Sequence, residues 1–371
     1  MKLTRIGTTA VVAVMASLAL AACGDDNPTG SDTAAASGDS GSGGSLSGTL
    51  KGSGSSAQES AMTAWIAGYQ GVQPDVTVQY DSIGSGGGRE NLIAGAVDFA
   101  GSDAALDETE REAVTDTCGP DGAMNLPVYI SPVAIPYNVE GVDELNLKPD
   151  TLAQIFDLKI TNWNDPKIAE DNPDASLPDL KITAVNRSDE SGTTENFMEY
   201  LSAAAPDSWS YEADKSWPVS GGEAAAQTTG VIEVVGSTNG AIGYADASAV
   251  GSLSSAKIGV GEEYVAFSPE AAAKVVDSSE LSPSDSNGDL ALDLARDTTE
   301  SGAYPIVLVS YHIVCHTYPD QEKADLVKDF VGYAASEEGQ QAAADAAGSA
   351  PISADLRSKV EQSLQLITAG S

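Results

Sequence analysis

Positive charge, histidine and cysteine are all scarce in this chain, and each shortage removes a class of function. Only 18 Lys and Arg stand against 55 Asp and Glu, for a formal net charge of −37 at neutral pH. A nucleic-acid partner is excluded, because such binding depends on Lys and Arg neutralising phosphates. The same acidic field gives no long-range pull on anions. An anion site here has to work through local, desolvated donors against a screened outer field. The only two histidines flank Cys315 in His312-Ile313-Val314-Cys315-His316, an apolar, strand-like run that argues against a zinc centre. Of three cysteines, Cys118 and Cys315 lie in the body of the chain, where an exported protein would hold them as a disulfide or as buried thiols. There is no Gly-x-x-x-x-Gly-Lys-Ser/Thr, so a nucleotide phosphate loop is not supported. Asp285-Ser286-Asn287-Gly288-Asp289 lacks the glycine and later glutamate of a calcium loop at their required offsets and reads as a solvated turn. No metal or cofactor is expected.

The N-terminus reads as an export signal over residues 1–22. Lys2 and Arg5 precede an apolar core, Ala10 to Leu20, that is too short for a lasting membrane span. The core runs into Leu20-Ala21-Ala22-Cys23, which resembles the lipobox of bacterial lipoproteins. That resemblance implies cleavage before Cys23, a lipid on its thiol, and a protein anchored to the cell membrane without crossing it. Residues 23–45 are Gly, Ser, Asp, Ala and Thr with almost nothing apolar, the composition of a flexible tether. What remains is long enough for two domains.

That remainder alternates β-like and helical stretches, the pattern of layered α/β proteins. Strands are expected at Gly48–Gly52, Val76–Tyr80, Val97–Asp103 and Tyr304–Cys315, with an extended apolar segment from Leu126 to Asn138 stiffened by Pro127, Pro132 and Pro136. Helices are expected around Met62 to Ile66, at Leu92-Ile93, from Thr194, and over Lys323–Phe330 and Asp355–Leu366. Three polar turns, at Ser56, Ser85 and Asp103, fall at strand ends, where open α/β sheets bind ligands. Arg187-Ser188-Asp189-Glu190-Ser191-Gly192-Thr193-Thr194 is the densest chemistry in the chain. Arg187 offers a planar fork of donors, Asp189 a carboxylate to pin it, and Ser191, Gly192 and Thr193 hydroxyls and N–H groups at a helix start. A capped helix beside a surface Arg–Asp pair is the plainer alternative. For Asp103 the plainer alternative is a helix N-cap, since Ala104, Ala105 and Leu106 follow it.

From about Leu46 to its last helix, the chain resembles the phosphate-binding proteins of bacterial high-affinity phosphate ABC importers. The resemblance rests on an ordered set: Gly52-Ser53-Gly54-Ser55-Ser56, Ile83-Gly84-Ser85-Gly86-Gly87-Gly88, Val97 to Asp103, Ile160-Thr161-Asn162-Trp163-Asn164-Asp165-Pro166-Lys167-Ile168, the Arg187 octet, and Gly240-Ala241-Ile242-Gly243-Tyr244. It implies an α/β, two-lobed periplasmic-binding-protein fold with a hinge and a ligand cleft between the lobes. Lobe I would comprise 46–130 and 306–371, lobe II 131–305, with hinge crossings near Ser131–Pro136 and Ser301–Pro305. The implied phosphate contacts are Ser56, the Ala57 amide, Ser85, Asp103, Arg187, Ser191, Gly192 and Thr193, with Asp189 holding Arg187. Ser56 stands where many members have Thr, and Ala57 where some have Phe. The implied function is capture of inorganic phosphate and its delivery to membrane permease subunits by a lipid-anchored, extracytoplasmic monomer that is not an enzyme. Three alternatives use the same fold: a phosphate-ester hydrolase with Ser85 or Ser191 as nucleophile, a sulfate or molybdate binder, and a lipoprotein sensor or adhesin. The hydrolase lacks a base or metal to activate a serine. Asp103 argues against sulfate and molybdate, which present no proton to a carboxylate.

Overall fold

The computed structural model describes residues 45–283 and 287–370. The export signal, Cys23, the tether to Gly44 and the first part of the acidic turn, Asp285-Ser286, lie outside the described residues.

Two sheets carry the architecture. The first is built from β1 (Gly48–Gly54), β2 (Val76–Ser82), β3 (Phe99–Ser102) and β4 (Ala123–Ala134). Helices α1 (Glu59–Val72) and α2 (Ser85–Ile93) link the first three strands, and α3 (Glu108–Cys118) links β3 to β4. β2 and β3 both run parallel to β1, which requires crossover helices of this kind. The second sheet takes β5 (Pro136–Asn138), β6 (Thr183–Arg187), β7 (Glu223–Ala225) and β8 (Ala241–Gly243). Helix α4 (Gly192–Ala204) follows β6, and α5 (Gln227–Ser237) lies between β7 and β8. Then β9 (Ala245–Asp246) returns to the first sheet, β10 (Ser254–Ser255) to the second, and β11 (Val307–Cys315) to the first. The strand orders are β9-β4-β11-β3-β1-β2 and β10-β5-β8-β6-β7.

β4 and β11 are buried along their whole lengths, as strands with both faces covered must be. This explains why Leu126–Asn138 and Tyr304–Cys315 read as largely apolar runs rather than alternating ones. α1 and the C-terminal helices α6 (Gln321–Ala335) and α7 (Glu337–Ala347) cover one face, where Trp65 donates its indole N–H to the Gly339 carbonyl at 2.8 Å. His312 lies in this core. Its ring stacks on Phe330 and meets Trp65 and Phe99 edgewise or tilted, at centroid distances of 5.9, 5.3 and 5.0 Å. Burial pulls its pKa down to about 3. Cys315 is joined to Cys118, at the end of α3, in a disulfide spanning 197 residues. Both facts place the His312-to-His316 run in structure rather than around a metal.

The chain passes between the two sheets at several points. Only Ile135 separates β4 from β5, so the first change falls inside the Ser131–Pro136 window, although Ser131 to Ala134 still belong to the first sheet. A further change occurs at Tyr244, between β8 and β9, because Ala245 and Asp246 pair with Ala134 and Val133 and cover the free edge of β4. The segment 131–305 is therefore not confined to one sheet. The N-cap alternative for Asp103 is also corrected. α3 begins five residues later, at Glu108, and Asp107 caps it in a capping box with Glu110.

Candidate functional site

The carboxyl ends of β1, β2, β3 and β6 converge, and the turns that leave them carry the polar residues of interest. Asp103, 3 % exposed, is at the centre. Its Oδ1 accepts from the Ser55 hydroxyl and from the Ser310 hydroxyl, the latter at 2.6 Å. Its Oδ2 accepts from Thr193 at 3.0 Å and from Ser85 at 3.3 Å. Four neutral hydroxyls thus surround one buried carboxylate, and its partners come from four separate stretches of chain. Its backbone is held as well: the N–H donates to Ser85 Oγ at 3.2 Å and the carbonyl accepts from Asn196 Nδ2 at 2.6 Å.

Arg187 closes β6 and is 4 % exposed. Its Nε donates to Asp189 Oδ1 at 2.8 Å and its Nη2 to Asp189 Oδ2, a side-on pair that occupies one edge of the guanidinium. The opposite edge is the one with which a guanidinium can fork onto a second oxyanion. Burial pushes the Asp189 carboxyl upward, but the hydrogen bonds and charge of Arg187 outweigh it and hold the group below its usual range. Ser191 caps α4, accepting from the Thr194 N–H at 3.2 Å, so the helix starts at Gly192 rather than at Thr194. Tyr244, at the sheet change, accepts from the Arg187 N–H at 3.1 Å and pairs with the Thr194 hydroxyl at 2.8 Å; burial raises its pKa to about 12.

Contacts across the two sheets hold these halves together. A Cβ on Gly84 would stand 2.6 Å from Asp189 Oδ2, and one on Gly192 would meet the Asp103 backbone at 2.9 Å. Gly84 also has φ +97°, so both the close approach and the backbone demand glycine there. Gly86 N–H donates to the Glu190 carbonyl at 3.3 Å. Ser56 Oγ pairs with Thr228 Oγ1 at 3.0 Å. Lys215 reaches Glu110 Oε1 at 3.0 Å, where Arg89 Nε also donates at 3.0 Å, and Arg89 Nη1 holds Ser102 beside Asp103 at 2.7 Å. A 450 Å³ cavity is lined by Arg187, Ser188, Asp189 and Trp217. A larger one of 890 Å³ also borders Asp103, but in its lining Glu195, Glu199, Glu212 and further carboxylates outnumber Arg111 and Arg296, the wrong balance for an anion. Burial, followed by carboxylate neighbours, raises Glu195 to about 7 against the pull of Arg89.

The structure therefore brings Ser56, Ser85, Asp103, Arg187, Asp189, Ser191, Gly192 and Thr193 to one place. The Ala57 N–H, expected to face a ligand, donates to Ser55 Oγ at 3.1 Å. Sequence reasoning missed Ser55, Ser310, Thr228 and Asn196. Ser55 was visible in the Ser53-Gly54-Ser55-Ser56 turn. Ser310 was hidden in an apolar strand, where a register shift between Ser310 and Tyr311 in the pairing with β4 marks the site. Nothing local distinguishes Thr228 or Asn196.

A family model described as a PBP superfamily domain matches residues 30–338. The phosphate-binding protein PstS3 of Mycobacterium bovis (strain BCG / Pasteur 1173P2) is 39 % identical over 338 residues, covering 89 % of this chain and 90 % of that one. PstS 2 of Mycobacterium tuberculosis (strain ATCC 25618 / H37Rv) is 35 % identical over 379 residues, covering 99 % and 100 %. Among solved structures, a high-affinity periplasmic phosphate-binding protein bound with phosphate superposes with a TM-score of 0.71 at 21 % identity, over 85 % of this chain and 93 % of that one. A phosphate-binding protein from Stenotrophomonas maltophilia gives 0.64 at 21 % identity, over 85 % and 94 %. At that identity the structural likeness speaks for the two-lobed fold alone.

Proposed function

Because the chain belongs to the PBP superfamily and, within it, to the phosphate-binding proteins of ABC importers, we propose that it captures inorganic phosphate between two lobes and hands it to a membrane permease. The observation that carries the reading is the pairing of unlike groups across one cleft. Arg187, pre-set by Asp189, supplies cationic donors, and Asp103, ringed by Ser55, Ser85, Thr193 and Ser310, supplies a buried acceptor. The contact set is Ser56, Ala57, Ser85, Asp103, Arg187, Ser191, Gly192 and Thr193. Phosphate at neutral pH still carries a proton to donate to Asp103, whereas sulfate does not. A rival without that proton would set an anionic oxygen against the buried carboxylate, a repulsion that discriminates against it. Lobe I takes 46–130 and 306–371 and lobe II 131–305, and ligand shifts the population toward the closed arrangement.

The site binds rather than turns over its ligand. Ser85 shares the Asp103 carboxylate with three other hydroxyls, which leaves the carboxylate a poor base for that serine, Ser191 caps a helix, and His312 is sealed among aromatic rings. Residues 1–22 and Cys23 support an extracytoplasmic, lipid-anchored protein. No helix among the described residues is long and apolar enough to cross a membrane.

Calorimetric titration of the chain from Leu46 to Ser371, unfolded and dialysed beforehand to strip carried-over ligand, tests the reading. One-to-one binding of phosphate in preference to sulfate and molybdate is expected. Tighter binding of either rival moves the ligand, and no oxyanion binding by folded protein removes the proposal.

A further inference from the structure

Helix α5 opens with two residues that tie the cleft together. Gln227 has φ +62°, a left-handed conformation that a non-glycine residue adopts only when its surroundings over-determine it. Those surroundings are explicit. Its backbone N–H donates to Asp189 Oδ1 at 2.9 Å, the oxygen that also accepts from Arg187 Nε. Its side-chain Nε2 donates to the Ser82 carbonyl at 2.7 Å, at the end of β2 in the first sheet. The next residue, Thr228, is buried; its hydroxyl pairs with Ser56 Oγ at 3.0 Å and its N–H donates to the same Oγ at 3.2 Å. Asp189 belongs to the β6 side, whereas Ser56 and Ser82 belong to the first sheet. Two adjacent residues therefore hold Arg187's partner and two strand ends of the opposite sheet at once.

We propose that Gln227 and Thr228 are positioning residues that clasp the phosphate cleft shut and set the rate at which ligand escapes. The inference rests on the phosphate reading above. Opening separates the two sheets, so Gln227 must leave Ser82 and Thr228 must leave Ser56 before phosphate can depart. Closing re-forms the same bonds after the ligand has arrived. The clasp then acts on dissociation and leaves association nearly untouched, the usual division when a closed state gates release. It also orients Ser56, whose Oγ accepts from the Thr228 N–H and shares a hydrogen bond with the Thr228 hydroxyl.

Stopped-flow phosphate exchange on the full chain, with Gln227→Ala, Thr228→Val and Thr228→Ser, tests the clasp. Gln227→Ala and Thr228→Val are each expected to speed dissociation about tenfold, with association within about twofold of the parent. Thr228→Ser, which keeps the hydroxyl, is expected to restore the parent rate, and ligand-free melting temperatures should stay unchanged. Parent dissociation rates in both disabled variants overturn the clasp. So does a faster release that Thr228→Ser fails to reverse, or one matched by a lower ligand-free melting temperature, which marks a merely structural role. A parent chain that binds no phosphate brings down the functional reading and the clasp with it. A binding parent with unaltered variants brings down the clasp alone.

Discussion

Asp103 and Arg187 are both almost fully buried, yet the chain surrounds them in opposite ways. Arg187 is met side-on by a carboxylate, so its charge is largely offset before any ligand arrives. Asp103 is met by four hydroxyls and a carboxamide on its backbone, with no cation among the described residues in hydrogen-bond contact. A buried charge has to be compensated, and the form of compensation decides what it can do next. The paired guanidinium keeps a second edge of donors and can accept an oxyanion without a large net change in local charge. The hydroxyl-ringed carboxylate can only gain from a partner that brings a proton. On the proposed reading, one side of the cleft supplies attraction and the other supplies selection. This division also answers the acidity of the chain: at a net charge of −37, attraction has to be local.

Arg187→Ala is the severest way to break this comparison. It removes the charge-assisted donors and leaves the half-buried Asp189 without its cation, so phosphate affinity should fall by at least about 100-fold, roughly 3 kcal/mol. Calorimetry reads this directly, and an undiminished affinity would mean that Arg187 is not the attracting group. Asp103→Asn is expected to act on choice more than on strength. The amide can donate where the carboxylate could only accept, so the preference for phosphate over sulfate should narrow by about tenfold or more. Competition between the two anions measures it. A preference that survives intact assigns selection to other donors.

How legible these two halves were in the chain differs for a physical reason. The Arg187 half is local: cation, counter-ion, cap and helix start lie within eight residues, and turn chemistry of that kind is written in sequence. The order of α/β elements was legible for the same reason, because periodicity and strand-end glycines are short-range signals. The Asp103 half is assembled from Ser55, Ser85, Thr193 and Ser310, which are brought together only by strand order. Without the family resemblance Asp103 reads as an N-cap, a role that belongs to Asp107. The return of Ala245-Asp246 to the first sheet was equally hidden, since a two-residue strand has no period to read.

The smallest expected effect tests whether the halves depend on each other through charge. Lys215 joins Glu110 across the sheets, while Arg89 holds the same carboxylate and braces the Asp103 turn. Burial pushes the Glu110 carboxyl upward, but Arg89, the Asp107 backbone N–H and Lys215 together bring it below 4.5. A lowered folded-state pKa contributes stability that is complete above 4.5 and is lost as pH falls through the folded value. Lys215→Met removes one of these supports and leaves Arg89 in place. The acid-induced fall in melting temperature should then be smaller than in the parent and be complete at a higher pH. Because the Lys215 side chain is partly solvated, its loss should weaken phosphate binding by only about threefold, under about 1 kcal/mol, and less at high salt. Melting curves between pH 3 and 6, with titrations at two ionic strengths, check both parts. An unchanged acid limb would show that Arg89 alone sets the Glu110 carboxylate, and that hydrogen bonds such as Thr193 to Asp103, rather than a cross-sheet ion pair, bind the selecting half to the attracting one.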